Sequence, residues 1–195
     1  SFRLLDQVAP RVGTARYFAT NGSRGLTTLQ RRDATVDGDL IRLSFPAKSG
    51  KRAELSLRDA ELASLISELA VGRSRAALLS YTRGRRRVPL TPGDVNAYVR
   101  ALTGGPFSAK DFRTLRGTIL AAEALAKTGA TGGKNERKKA EVAAVRATAE
   151  ALGNTPAVAR SSYIDPRVFS LYRRGRTMDL GGSKDAAIRR LILGV

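Results

Sequence analysis

The chain contains no cysteine, no histidine and no tryptophan, and only one methionine. The first absence removes disulfides and thiolate metal sites, and the second removes the commonest remaining ligand for a transition metal. No resident metal is therefore expected. The same two absences exclude thiol and imidazole nucleophiles, so any covalent chemistry falls to Tyr, Ser, Thr, Lys or a carboxylate. Long apolar runs are missing as well: none approaches the roughly 18 residues needed to span a bilayer. The opening Ser1-Phe2-Arg3-Leu4-Leu5-Asp6 has neither a leader's pattern nor an initiator methionine, so a soluble chain, processed or excised, is the expectation.

Acidic residues are scarce relative to basic ones. Against 35 Lys and Arg stand 17 Asp and Glu, a formal charge of +18 over 195 residues. Such an excess favours a polyanionic partner, because each phosphate neutralised releases condensed counterions. An anionic membrane is the weaker reading, since the basic residues are spread through folded-looking segments and do not form one amphipathic helix. A hydrophobic share of 42% at this length supports a real core, in one domain or one domain plus an appendage.

Residues 3–20 carry Leu4, Leu5, Val8, Val12, Ala15 and Phe18 at mostly helical spacing, which predicts a helix disturbed at Pro10 and Gly13. From Gly25 to Leu57 the pattern alternates. Leu26-Thr27-Thr28-Leu29, residues 40–45 and residues 53–57 read as strands, with Asp37-Gly38 and Ser49-Gly50 as turn pairs and Lys48 at the tip of the last hairpin. After Arg58 the signal is helical. Residues 58–70 place Leu62, Leu65, Ile66 and Leu69 on one face, and an extended piece at 76–81 leads into a basic loop, Arg83-Gly84-Arg85-Arg86-Arg87. Thr91-Pro92 opens a helix to about residue 102, and Ser108 with Asp111 opens another to 127.

A Gly- and Thr-rich connection at 128–134 precedes a long alanine-rich helix, expected to be capped by Asn135 and to end at Gly153. Thr155-Pro156 starts a short helix carrying Tyr163, and Asp165-Pro166 starts another through 172. Residues 173–195 read as a basic flexible tail with room for a short helix near 188–193. The predicted fold class is α+β and mostly helical: a helix and small antiparallel β-sheet in 1–57, then a helical part over 58–172.

Among the nucleophiles left open, Tyr163 is favoured. A tyrosine attacking a phosphodiester needs the non-bridging oxygens neutralised, which arginine does by planar, often bidentate, hydrogen bonding. It also needs a proton for the departing sugar oxygen, for which lysine is the main source here besides tyrosine. In order along the chain, six blocks then stand out. They are Arg11-Val12-Gly13 with Tyr17 downstream, Gly25-Leu26-Thr27-Thr28-Leu29, Lys48-Ser49-Gly50, and Asp94-Val95-Asn96-Ala97-Tyr98. Lys110-Asp111-Phe112-Arg113-Thr114 follows, and last Gly153-Asn154-Thr155-Pro156 with Ser162-Tyr163-Ile164. Together they resemble the ordered signature of the type IB DNA topoisomerases, most closely the small poxvirus-like and bacterial branch, over residues 3–172.

The resemblance implies a role for each residue. Tyr163 would break one strand and hold its 3′ phosphate, Arg11 and Arg113 would clamp the scissile phosphate, Lys48 would protonate the 5′ oxygen, and Lys110 would assist it. Asn154 stands where the viral members carry histidine; an amide N–H can make the same neutral hydrogen bond. Tyr17, Arg160 and the basic residues Arg83, Arg85, Arg86 and Arg87 would contact the DNA backbone. The implied activity is relaxation of supercoiled DNA with no ATP, metal or other cofactor. The implied partner is duplex DNA, met mainly through phosphates by a monomer in a cytoplasmic, bacterial nucleoid-associated setting. Residues 1–172 would be the catalytic domain, and the family's N-terminal clamp domain is expected to be absent. A tyrosine recombinase or integrase shares the nucleophile and arginine pair, but typically shows His-x-x-Arg where this chain has Lys110-Asp111-Phe112-Arg113. A non-enzymatic basic DNA-binding protein would account for the charge and not for the ordered blocks.

Overall fold

Two backbone breaks decide how the chain begins. Ala9 is left-handed (φ 42°) after α1 (Phe2–Val8), and Gly13 (φ 73°) precedes α2 (Ala15–Asn21), so the disturbed helix at 3–20 is two short helices. The structure, a computed structural model, describes every residue except Thr131, which lies in the connection expected at 128–134, and the side chain of Ser49. The chain divides into two compact units, Ser1–Phe112 and Arg113–Val195.

In the first unit, β1 (Ala34–Asp37), β2 (Leu40–Pro46) and β3 (Arg52–Arg58) form an antiparallel sheet in that order. The alternation of β2 buries Ile41, Leu43 and Phe45 on one face. The strand expected at Leu26-Thr27-Thr28-Leu29 is instead a 3₁₀ turn, Leu26–Thr28. Its threonine explains the difference: Gly25 N–H donates to Thr28 Oγ1 at 2.9 Å, a local bond that competes with a ladder.

Helix α3 (Ala60–Ala70) is capped by Asp59, whose carboxylate accepts from Leu62 N–H at 3.0 Å. It buries Leu62, Ala63 and Ile66, whereas Leu65 is half exposed. The basic loop expected at 83–87 is a hairpin, β4 (Ser80–Arg83) and β5 (Arg86–Pro89), joined by Gly84-Arg85. Tyr81 pairs with Val88, an aromatic and β-branched combination that favours a ladder over an open loop. Thr91 and Asp94 make a reciprocal capping box at the start of α4 (Pro92–Thr103). Asp111 likewise accepts from Ser108 N–H at 2.8 Å as α5 (Ala109–Thr128) begins. Leu4, Leu5, Leu26, Leu29, Ile41, Leu43, Ile66, Leu78 and Val99 are the centre of this unit's core.

The unit boundary falls inside α5. In the second unit, α6 (Lys134–Ala151) starts one residue before the expected cap. Glu136 reaches back to accept from Gly133 N–H at 2.9 Å, so Asn135 lies inside the helix. Helices α7 (Pro156–Ser162), α8 (Arg167–Arg173) and α9 (Lys184–Leu193) follow. The segment expected as a flexible tail carries core residues: Met178, Ala187, Ile188 and Leu191 are buried with Ile119, Leu125, Val145, Phe169 and Tyr172. Helical spacing of Ala187, Ile188 and Leu191 gives α9 an apolar face, and burying that face orders the segment. The fold is α+β and mostly helical, with its small antiparallel sheets near the N-terminus. Among the described residues no helix is long and apolar enough to cross a membrane.

Candidate active site

Tyr163 follows the last turn of α7. Thr155 caps that helix by accepting from Val158 N–H, and Pro156 occupies the first position, where no backbone donor is needed. Tyr163 N–H closes the helix on Ala159 C=O at 3.0 Å, and the next residue, Ile164, is buried in the second core. The tyrosine's backbone is thus anchored on both sides while its side chain is only partly covered.

Arg113, on α5, faces that ring. Its guanidinium carbon lies 4.9 Å from the ring centroid, within cation–π range. The residue is only 6% exposed despite its charge. Its Nη2 donates to Leu152 C=O at 2.8 Å, at the carboxyl end of α6, where terminal carbonyls need donors and the helix dipole favours a cation. Two residues on, Asn154 leads into α7 with its N–H on Ala149 C=O at 2.8 Å and its side-chain nitrogen buried. Direct contacts therefore tie Arg113 to Tyr163 on one side and to the loop bearing Asn154 on the other. Guanidinium keeps its proton at neutral pH, so a fixed positive charge stands beside a phenol. That pairing suits a phosphodiester, with a charge for its oxygens and a hydroxyl to attack its phosphorus.

Arg160, expected at the DNA backbone, has two partners within the unit. It lies 3.6 Å from the Glu141 carboxylate and stacks on Phe169 at 4.6 Å. Glu141 is 5% exposed and is held in a two-pronged pair by Arg173, both bonds 2.7 Å. This cluster joins α6, α7 and α8 around the segment that carries Tyr163. Sequence reasoning missed it, since Glu141 reads as an ordinary solvated charge on a long polar helix.

The first unit holds Arg11, Tyr17, Lys48, Lys110 and the basic hairpin. Lys48 is exposed in the loop between β2 and β3, whose ends are tied by Ala47 N–H donating to Lys51 C=O at 2.7 Å. Arg11 is half-buried, and its carbonyl accepts from Leu26 N–H at 2.8 Å. Thr27 N–H and Oγ1 both donate to Val12 C=O, and a Cβ on Gly25 would come within 2.6 Å of Gly13 N. Arg24 N–H donates to Pro46 C=O at 2.7 Å. The stretch from Arg24 to Thr28 is thus the common anchor of the segment carrying Arg11 and the loop carrying Lys48, which gives the Gly-Leu-Thr-Thr-Leu block its physical reason. Tyr17 is 56% exposed on α2, and Lys110 is exposed on the first turn of α5. Arg83, Arg85, Arg86 and Arg87 are all exposed.

The model of the family described as eukaryotic DNA topoisomerase I, catalytic core, matches residues 1–173. The chain belongs to this family. It is also 28% identical over 170 residues to a DNA topoisomerase 1B of Acanthamoeba polyphaga mimivirus, an alignment covering 84% of this chain and 51% of that protein. The chain thus spans about half the length of the curated relative it matches. Both findings place it among the type IB DNA topoisomerases. The topoisomerase catalytic-core match takes in every candidate residue above and stops at the end of α8, so α9 is an addition to the matched region that nonetheless packs into the second core. Among the described residues, no group of three or more acidic side chains is arranged to hold a metal ion.

Proposed function

We propose that this chain changes DNA topology by breaking and rejoining one strand through Tyr163. The observation that carries the reading is the Arg113 guanidinium set against the Tyr163 ring, in a chain of the type IB family. Tyr163 Oη attacks phosphorus and loses its proton; the bond to the 5′ oxygen breaks, and that oxygen leaves protonated. Arg113 stabilises the charge that builds on the non-bridging oxygens, and Asn154 donates to one of them. Removing one such donor costs about 10² to 10³ in rate. Arg11, Lys48 and Lys110 enter through the resemblance, as second clamp, proton donor and its assistant. The phosphotyrosine ester conserves the energy of the bond it replaces, so the freed 5′ hydroxyl can reseal the strand after rotation without a nucleotide cofactor.

Tyr163→Phe tests this on a nicked suicide duplex analysed on a denaturing gel. The unaltered chain should give a protein-linked DNA band, and the variant should bind the duplex as well while giving none. A band that persists in Tyr163→Phe would assign the chemistry to another residue. Relaxation of a supercoiled plasmid with no second DNA partner then separates a topoisomerase from a recombinase.

A further inference from the structure

Gly117 and Thr118 lie on α5 one turn beyond Arg113, in a stretch otherwise rich in good helix formers. Glycine weakens a helix interior relative to alanine, so its presence there calls for a packing cause. The cause is Tyr163. A Cβ on Gly117 would overlap the Tyr163 carbonyl oxygen, lie 3.2 Å from its carbonyl carbon and 3.1 Å from Leu152 Cδ1. Thr118, 3% exposed, accepts from Asp165 N–H at 3.0 Å and donates to Thr114 C=O at 2.7 Å. Thr114 Oγ1 in turn reaches Ser162 C=O at 3.5 Å. Three contacts from one helix face therefore grip the main chain one residue before the tyrosine, at it and two residues after it.

From this geometry we infer that Gly117 and Thr118 are positioning residues, which set where Tyr163 presents its hydroxyl. The inference rests on Tyr163 being the nucleophile for its functional consequence, but not for its structural one. Any side chain at Gly117 pushes the Tyr163 carbonyl away from α5 and carries the ring off Arg113. A displacement of about 1 Å at a reacting group costs on the order of a hundredfold in rate. Losing the Thr118 hydroxyl frees the Asp165 N–H and lets the same segment drift.

Two measurements on the full chain separate the parts. In ¹³C–¹H spectra of tyrosine rings, the Tyr163 signal is the one that vanishes in Tyr163→Phe. Gly117→Ala should shift that signal and leave those of Tyr17, Tyr81 and Tyr98 in place. An unmoved Tyr163 signal overturns the inference, whatever the activity. Single-turnover cleavage of the suicide duplex should fall about a hundredfold in Gly117→Ala, with the dissociation constant for the duplex unchanged. Thr118→Val should slow cleavage similarly, and Thr118→Ser, which restores the hydroxyl, should recover it. Wild-type cleavage in both Gly117→Ala and Thr118→Val overturns the positioning role, as does a Thr118→Ser variant no better than valine. If Tyr163→Phe still forms the adduct, the nucleophile assignment fails while the spectral result still stands or falls alone.

Discussion

Arg113 shows how much one side chain can be asked to do. Its guanidinium carbon lies over an aromatic ring while one of its nitrogens donates to a helix-terminal carbonyl, two contacts that a lysine ammonium cannot make together. Arg113→Lys therefore keeps the charge and loses the geometry. We expect single-turnover cleavage to drop by about 10² to 10³, while fluorescence anisotropy with a duplex oligonucleotide shows the affinity within a few-fold, because a cation is still present. A lysine variant that cleaves at the original rate would mean that charge alone is enough and that stacking on Tyr163 is incidental. Asn154 is a milder case: the resemblance puts an imidazole donor at its position, and a neutral amide donor there would change the chemistry little.

At the scale of elements, the irregular stretch between α2 and β1 matters more than its lack of regular structure suggests. Arg24 and Asp33 form a buried ion pair inside it, with Nη2 donating to Oδ1 at 2.7 Å and Nε lying 2.7 Å from Oδ2; their side chains are 8% and 3% exposed. Asp33 also accepts from Gln30 N–H at 2.8 Å, closing a further 3₁₀ turn, Arg31–Asp33. Breaking a buried pair strands the remaining charge, a loss of about 3–5 kcal/mol. Asp33→Asn is expected to destabilise the first unit by that order, and amide hydrogen exchange should accelerate through residues 23–58 and not through the second unit. Uniform acceleration in both units would show that the pair serves the whole chain.

The sequence revealed the elements whose causes are local. Thr91 with Asp94 and Thr155 with Pro156 announce α4 and α7 because cap and helix are adjacent in the chain. Leu26-Thr27-Thr28-Leu29 misled because alternation does not say whether a threonine hydroxyl will bond its own turn. Asp33 and Glu141 could not be read, since their partners lie 9 and 32 residues away and each carboxylate alone looks like surface. The same limit applies to the site. Tyr163 and Arg113 were recognisable as chemical types and through the resemblance, whereas their contact depends on α5 meeting the end of α7, which spacing does not encode.

For the whole molecule, net charge sets the terms of binding. With +18 over 195 residues, affinity for any duplex should fall steeply as salt rises. The β4–β5 hairpin concentrates the effect: Arg83 stands directly opposite Arg86, Arg85 is in the joining loop, and all three are exposed. Like charges directly opposed across two strands disfavour the hairpin on their own, and a phosphate backbone beside them relieves the repulsion. Replacing Arg83, Arg85 and Arg86 together with glutamine is expected to reduce the slope of log affinity against log salt by between about two and three, since each phosphate contact contributes about 0.9. The loss should be equal for unrelated duplex sequences, because phosphate contacts position DNA without reading it. Cleavage at saturating DNA should be unchanged, as all three are assigned to positioning contacts with the phosphate backbone and none to the reacting phosphate. An unaltered salt slope would place the phosphates elsewhere on the basic surface, and a slowed cleavage step would mean that the hairpin acts on the chemistry as well as on binding.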